Sequence, residues 1–270
     1  MTNIIIPMAG EGKRFSEKGY STGKPSIPTY DRRTGKLIPM VVCAVKDLPF
    51  VNSDGSNIFF LDRDFHKKDG VENRINEFYP NAKFITINKL TEGQACTCLL
   101  SEEHIDTSAP LIIAACDSGM IYNEQKFNEI TCSSDVIAFT FKNDERVLYN
   151  PNAYGWLASD YDNSVKRVSV KKAISDTPMH DHAITATFWF KKAEMFFSAA
   201  KKMISLNDRV NNEFYVDNVL KYTVEMGYIT RVFNVDKYLG WGTPDEYENY
   251  QRTIEYWGSF VNSKFFLGDN

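Results

Sequence analysis

The sequence predicts an α/β protein built on a mostly parallel, doubly wound sheet. Short apolar runs at Ile4-Ile5-Ile6, 57–61 and 111–115 have the length and density of strands buried on both faces. Amphipathic stretches at 71–79 and 92–101 read as helices between them, and this alternation is what crossover connections require. With 270 residues, 43% hydrophobic and 24% charged, the chain is long enough for one large domain with a sizeable core.

Each element has a local reason. The apolar run at 4–6 is followed at once by Gly10 and Gly12, so the first strand ends in a tight turn. Residues 30–36 read as a turn between two short extended pieces. Pro39 suits the first turn of a helix whose stripe is Met40, Val41, Ala44, Val45 and Leu48. A strand is expected at 83–87, and then longer β-rich pieces at 136–141, 154–158, 165–170 and 183–190, with a hairpin turn around Asn163. Helices follow at 193–204 and 213–226, a strand at 229–235 and a helix at 244–256. Thr243, Pro244 and Glu246 open that last helix as N-cap, first residue and third residue of a capping box. No linker or repeat divides the chain. It reads as one domain, with halves at 1–135 and 136–250 and an aromatic tail at 251–270 (Trp257, Phe260, Phe265, Phe266, Leu267) that is expected to dock on the body or a partner chain.

Composition narrows the function. A net charge of −4 provides no global field for nucleic acid or acidic lipid. The five cysteines are odd in number and sit mostly in apolar runs, which suits buried thiols in a reducing cytoplasm. Cys96-x-Cys98 lacks a second ligand pair at zinc-finger spacing. His180-x-His182 reads as a solvated loop before a strand. No window approaches the ~18–20 apolar residues of a membrane span.

The chemistry concentrates first in the glycine turn. A strand running into Gly10-Glu11-Gly12 exposes backbone N–H groups that can cradle phosphate oxygens, and Lys13, Arg14 and Lys24 bring positive charge to the same place. Asp117 follows the buried run at 111–115, so it lies on the same edge of the sheet, where one carboxylate plus phosphate oxygens suits Mg²⁺.

Gly10-x-Gly12-x-Arg14-Phe15 followed by Lys24-Pro25 resembles the signature of the sugar-phosphate nucleotidylyltransferases. The resemblance extends in order to about residue 250 and implies a Rossmann-like, three-layer α/β/α fold with a mixed sheet. It further implies that Ala9, Gly10, Gly12, Lys13 and Arg14 bind a nucleoside triphosphate, and that Gly93, with Thr91 and Gln94 beside it, lets the base approach. The family's Mg²⁺ aspartate matches Asp117, although Cys116 replaces the usual glycine before it. Tyr154-Gly155 and Glu213-x-x-x-Asp217 resemble acceptor-site motifs. In Lys171-Lys172-Ala173, Lys172 matches the lysine of the family's Glu-Lys-Pro and Lys171 stands at its glutamate. Arg14, Lys24 and Lys172 are then the expected catalytic residues.

Gly240-Trp241-Gly242-Thr243-Pro244 resembles the family's Asp-x-Gly-Thr-Pro, but Gly240 replaces the second metal aspartate, with Asp236 the nearest substitute. The resemblance implies transfer of a nucleoside monophosphate, with CTP favoured, to a phosphorylated small-molecule acceptor for surface polysaccharide. Mg²⁺ is the implied cofactor, and a homo-oligomer stays open. Two alternatives remain: a nucleotide-binding protein of this fold without turnover, and a glycosyltransferase. The latter ranks low, because Asp117-Ser118-Gly119 supplies no Asp-x-Asp.

Overall fold

A computed structural model of the chain describes residues 1–261. In chain order, β1 (Asn3–Pro7) runs through the glycine turn into a short helix, α1 (Lys13–Glu17). A hairpin of β2 (Pro28–Tyr30) and β3 (Leu37–Pro39) leads to α2 (Met40–Lys46). Next come β4 (Ile58–Arg63), α3 (Asp64–Lys68), α4 (Val71–Asn76), β5 (Lys83–Ile87), α5 (Gln94–Leu99) and β6 (Leu111–Ala114). β7 (Ser118–Ile121) and α6 (Glu124–Thr131) connect to β8 (Val136–Phe141), α7 (Arg146–Tyr149), β9 (Gly155–Ser159) and β10 (Val165–Val170). The chain continues through β11 (His182–Phe190), α8 (Ala193–Ser205), α9 (Val216–Glu225), β12 (Thr230–Asn234), β13 (Lys237–Gly240) and α10 (Pro244–Val261).

The main sheet runs β10-β9-β11-β6-β1-β4-β5, with β8 on β11 and β12 beside β8. β6, β1, β4 and β5 are mutually parallel, as the buried apolar runs require, while β11 is antiparallel to β6. The sheet is therefore mixed. Side chains on β1 alternate between two cores. Ile4 and Ile6 pack on one face with α2 and Phe127 of α6, and Ile5 packs on the other with α8 and α9. Phe127 meets Phe139 and Phe233 at ring distances of 4.9 and 5.4 Å, which ties α6 to β8 and β12.

Several expectations shift. Pro39 is the N-cap of α2, not part of its first turn. The helix expected at 92–101 begins at Gln94 with Gly93 as N-cap, and the one expected at 213–226 is shorter, Val216–Glu225. The capping box at Thr243 forms: Glu246 N–H donates to Thr243 Oγ1 at 3.3 Å, and Thr243 N–H to Glu246 Oε2 at 3.2 Å. β7 and β13 pair as an antiparallel ribbon that local pattern did not reveal. Phe265, Phe266 and Leu267 of the tail lie outside the described residues.

Candidate active site

The glycine turn is open because the sequence leaves it so. Gly12 has φ +62°, and a β-carbon there would lie 3.4 Å from Lys24 Cβ, so the turn and the Lys24 loop pass side by side. Around Gly10 no atom lies within 4 Å of an added β-carbon. Together these residues border a cleft of about 350 Å³ at the carboxyl ends of β1 and β6. Ala9, Gly10, Gly12 and Lys24 line one wall, and Thr91, Gly93 and Gln94 another. Asp117, Cys116, Glu213 and Tyr215 complete it. An adjoining cavity of about 410 Å³ carries Lys13, Arg14 and Gly242.

At the junction of the two cavities Lys24 Nζ donates to Asp117 Oδ2 at 2.5 Å and to the Gly242 carbonyl at 3.1 Å. Burial works against the Lys24 ammonium, but the Asp117 carboxylate offsets it and holds the lysine above its ordinary range. Burial likewise opposes the Asp117 carboxylate, and Lys24 holds it below its ordinary value. Both groups are therefore charged at neutral pH. Arg14 on α1 is exposed and adds positive potential felt at Asp117, Lys24 and Lys171. Lys13, by contrast, is turned to Glu11 in an exposed 2.8 Å ion pair.

Three expected placements change. Lys172 is exposed, and its carbonyl accepts from Ser169 Oγ. Lys171 instead is half-buried and packs against Tyr215, which lines the cleft. It follows β10 with φ +57°, which breaks the strand's alternation and folds its side chain over the Tyr215 ring at 5.4 Å, with Nζ on the Ala153 carbonyl. Burial and nearby Arg14 lower its ammonium pKa, against the pull of Asp217, Glu213 and Asp117. Gly155 is not on the main cleft; a β-carbon there would collide with Asp217 Oδ2 at 2.4 Å.

Asp236 is the third correction. It is exposed and its N–H donates to Ile121 O, whereas Gly240 pairs with Ser118 beside Asp117. Four strand residues, about 13 Å at ~3.3 Å each, separate Asp236 from that level. Asp236 therefore stands away from Asp117 because the ribbon is extended.

Gly93 has a structural reason that the base-approach reading does not contain. With φ +128°, its β-carbon position lies 2.5 Å from Phe214 N and 2.6 Å from Phe214 O. The two segments are stitched there by Ala95 N–H to Phe214 O and Phe214 N–H to Glu92 O. The Thr91 hydroxyl donates to Gly93 O at 3.0 Å and meets Thr97 Oγ1 at 2.6 Å.

No three acidic, histidine or cysteine side chains converge as a metal cage among the described residues. His182 opens β11, meets Thr140 Oγ1 at 3.0 Å, and burial pushes its imidazole down to about 4. One carboxylate on an open cleft is nonetheless a donor set that fits Mg²⁺, which takes its remaining oxygens from phosphates and water. The residue that would hold it is Asp117.

No protein-family model matches the chain, and no curated protein does. Solved structures do match across nearly the whole length. A nucleoside-diphosphate-sugar pyrophosphorylase from Vibrio cholerae RC9 superposes with TM-score 0.72 at 18% identity, covering 92% of this chain and 99% of that one. A UDP-glucose pyrophosphorylase complexed with UDP-glucose gives 0.66 at 16%, covering 95% and 99%. The inositol-1-phosphate CTP transferase of T. maritima gives 0.62 at 14%, covering 97% of each chain. The chain shares their fold. In this nucleotide-diphospho-sugar transferase-like fold, the cleft sits where α/β sheets place ligands, outside the carboxyl ends of parallel strands.

Tyr215 on the cleft, and Lys171 packed over its ring, are residues whose role the sequence did not single out. Tyr215 lies inside the Glu213-x-x-x-Asp217 motif, and Lys171 was visible only as one of two adjacent lysines of which one must face inward.

Proposed function

We propose that the chain is a nucleotidyltransferase, moving a nucleoside monophosphate from a nucleoside triphosphate to the phosphate of a small acceptor. The observation that carries this is the convergence of the Gly10–Gly12 turn, Lys24 and Asp117 on one cleft. In the step, an acceptor phosphate oxygen attacks the α-phosphorus. The bond from that phosphorus to the bridging oxygen breaks, and pyrophosphate leaves with the electron pair. A phosphate monoester is already ionised at neutral pH, so no general base is required.

The protein's task is to align two anions and offset their repulsion. Backbone N–H groups of the Gly10–Gly12 turn and the Arg14 guanidinium hold the triphosphate. Lys24 and Lys171 bracket the reacting phosphates. Bound at Asp117, Mg²⁺ supplies charge stabilisation for phosphate oxygens. Thr91 and Gln94 lie on the base-reading wall, and Glu213 faces the acceptor side. CTP is the first triphosphate to test, and activated building blocks for surface polysaccharide are the product class that fits the divergent motifs.

The test is pyrophosphate release from the four nucleoside triphosphates, each with Mg²⁺ and a panel of phosphorylated sugars and polyols. One productive pair is expected. A second reading, nucleotide binding without turnover, is favoured by the absence of a carboxylate at Gly240. Triphosphate binding with no pyrophosphate from any pair would establish it over the first.

A further inference from the structure

Glu213 and Tyr215 reach the cleft from the connection between α8 and α9, residues 206–215. Val210 and Glu213 donate their backbone N–H groups to each other's carbonyls at 3.0 and 2.9 Å, which closes a tight turn. Asn211 and Asn212 fill it with φ +49° and +63°, the left-handed pair that a two-residue turn of this kind demands. Glu213 is therefore aimed by the turn it leaves. Arg209 grips that turn with three nitrogens on three partners. Nε donates to Asn207 Oδ1 at 2.6 Å, Nη1 to the Asn212 carbonyl at 3.2 Å and Nη2 to Glu92 Oε1 at 3.0 Å. Its guanidinium also lies over the ring of the buried Phe214, 4.2 Å from the centroid. From the other side, Lys221 and Tyr222 of α9 donate to the neighbouring Asp208 at 2.8 and 2.6 Å.

The partners of Arg209 belong to two different walls. Asn212 and Phe214 flank Glu213, whereas Glu92 stands in the chain between Thr91 and Gly93. Backbone bonds join Phe214 to residues 92 and 95, but the turn that aims Glu213 is tied to that wall by the Arg209 side chain. The ion pair is open to water, its side chains 28% and 65% exposed, a setting in which such a pair adds little stability. Its effect is on placement. We infer that Arg209 is a positioning residue that couples the two substrate walls, so that a nucleoside triphosphate ordering residues 91–94 also sets Glu213 for the acceptor. The inference rests on the transferase reading for what each wall binds. A ligand that fixes Gly93 and its neighbours removes freedom from Glu92, and the guanidinium passes this to both sides of Glu213. The second ligand then has less ordering left to do, which is cooperativity without a change of shape. Only a planar fork makes these three bonds at once; a lysine ammonium is a single point charge on a flexible stem.

Hydrogen exchange read by mass spectrometry on the full chain tests this without the acceptor. The probes are the α,β-methylene analogues of ATP, CTP, GTP and UTP, each with Mg²⁺. In the wild type, the analogue that binds should slow the amides of 91–99 and those of 207–213 together, by about tenfold, an ordinary size for coupled sites. In Arg209→Gln the protection at 91–99 should remain, and that at 207–213 should fall to about twofold or less. Arg209→Lys should behave like the glutamine variant. Glu92→Ala cuts the link between the walls while leaving Arg209 on Asn207 and Asn212, so it should uncouple them equally, a result that a purely local role for Arg209 does not produce. Should Arg209→Gln fail to fold, Glu92→Ala decides alone. Protection of 207–213 that survives Glu92→Ala, or a wild type protected at 91–99 only, overturns the coupling. If no analogue protects either segment, the transferase reading falls instead, and Glu92→Ala in the free protein decides the link: faster exchange at 207–213 upholds it, and unchanged exchange there overturns it.

Discussion

At the scale of single residues, charge placement decides more than residue type. Asp117 and Lys24 hold each other charged across the cleft, so Asp117→Asn removes the carboxylate while leaving a group of the same shape. Turnover is expected to fall by at least a hundredfold with the melting temperature within a few degrees of wild type; full activity in that variant removes the metal assignment. Lys171 and Lys172 separate cleanly. Lys171→Gly relieves a left-handed backbone that costs an L-residue ~1 kcal/mol, so stability should hold or rise, yet the acceptor KM should climb about tenfold. Lys172→Ala should change neither. The resemblance pointed to Lys172 and missed Lys171, because the positive φ at Lys171 goes with its N–H reaching Tyr154 O, a contact local pattern does not reveal.

Elements carry the next set of consequences. The α5 turn and the 213–215 segment touch through backbone alone at Gly93, so Gly93→Ala should cost on the order of 2–4 kcal/mol in chemical denaturation and loosen both cleft walls together. On β4 the fully buried Asp62 is pushed up to about 6 by burial, with the Glu72 carboxyl of α4 beside it. A carboxyl raised in the fold binds its proton more tightly there than in the unfolded chain. Its stabilisation is thus complete below the ordinary value of 3.8 and is lost as pH climbs through about 6. Asp62→Asn should therefore flatten the stability profile between pH 4 and 7 and add on the order of 2–3 kcal/mol above it; an unchanged profile would show that the proton is held elsewhere. Three strands were legible to the residue: β5, β8 and β10 begin and end where the sequence reading put them. The β7–β13 ribbon was not, since each strand is four residues long and its partner is more than a hundred positions away.

For the whole molecule, the parallel core and the shared edge of Gly12 and Asp117 could be read from the order of strands and glycines. What could not be read was the neighbourhood of Gly240, where α7, β13 and α10 meet only in three dimensions. With one carboxylate at the candidate metal position, removing divalent ions with EDTA should stop turnover and leave the melting temperature of the ligand-free protein unchanged; a fall of several degrees would reveal a structural ion. The Lys24 ammonium has one further consequence. Its two anchors, at 117 and 242, lie 93 and 218 positions further along the chain. A ribosome must therefore release the chain through residue 242 before the lysine has both anchors. Nascent fragments that stop short of residue 242 can form the phosphate cradle, but their Lys24 lacks its second anchor.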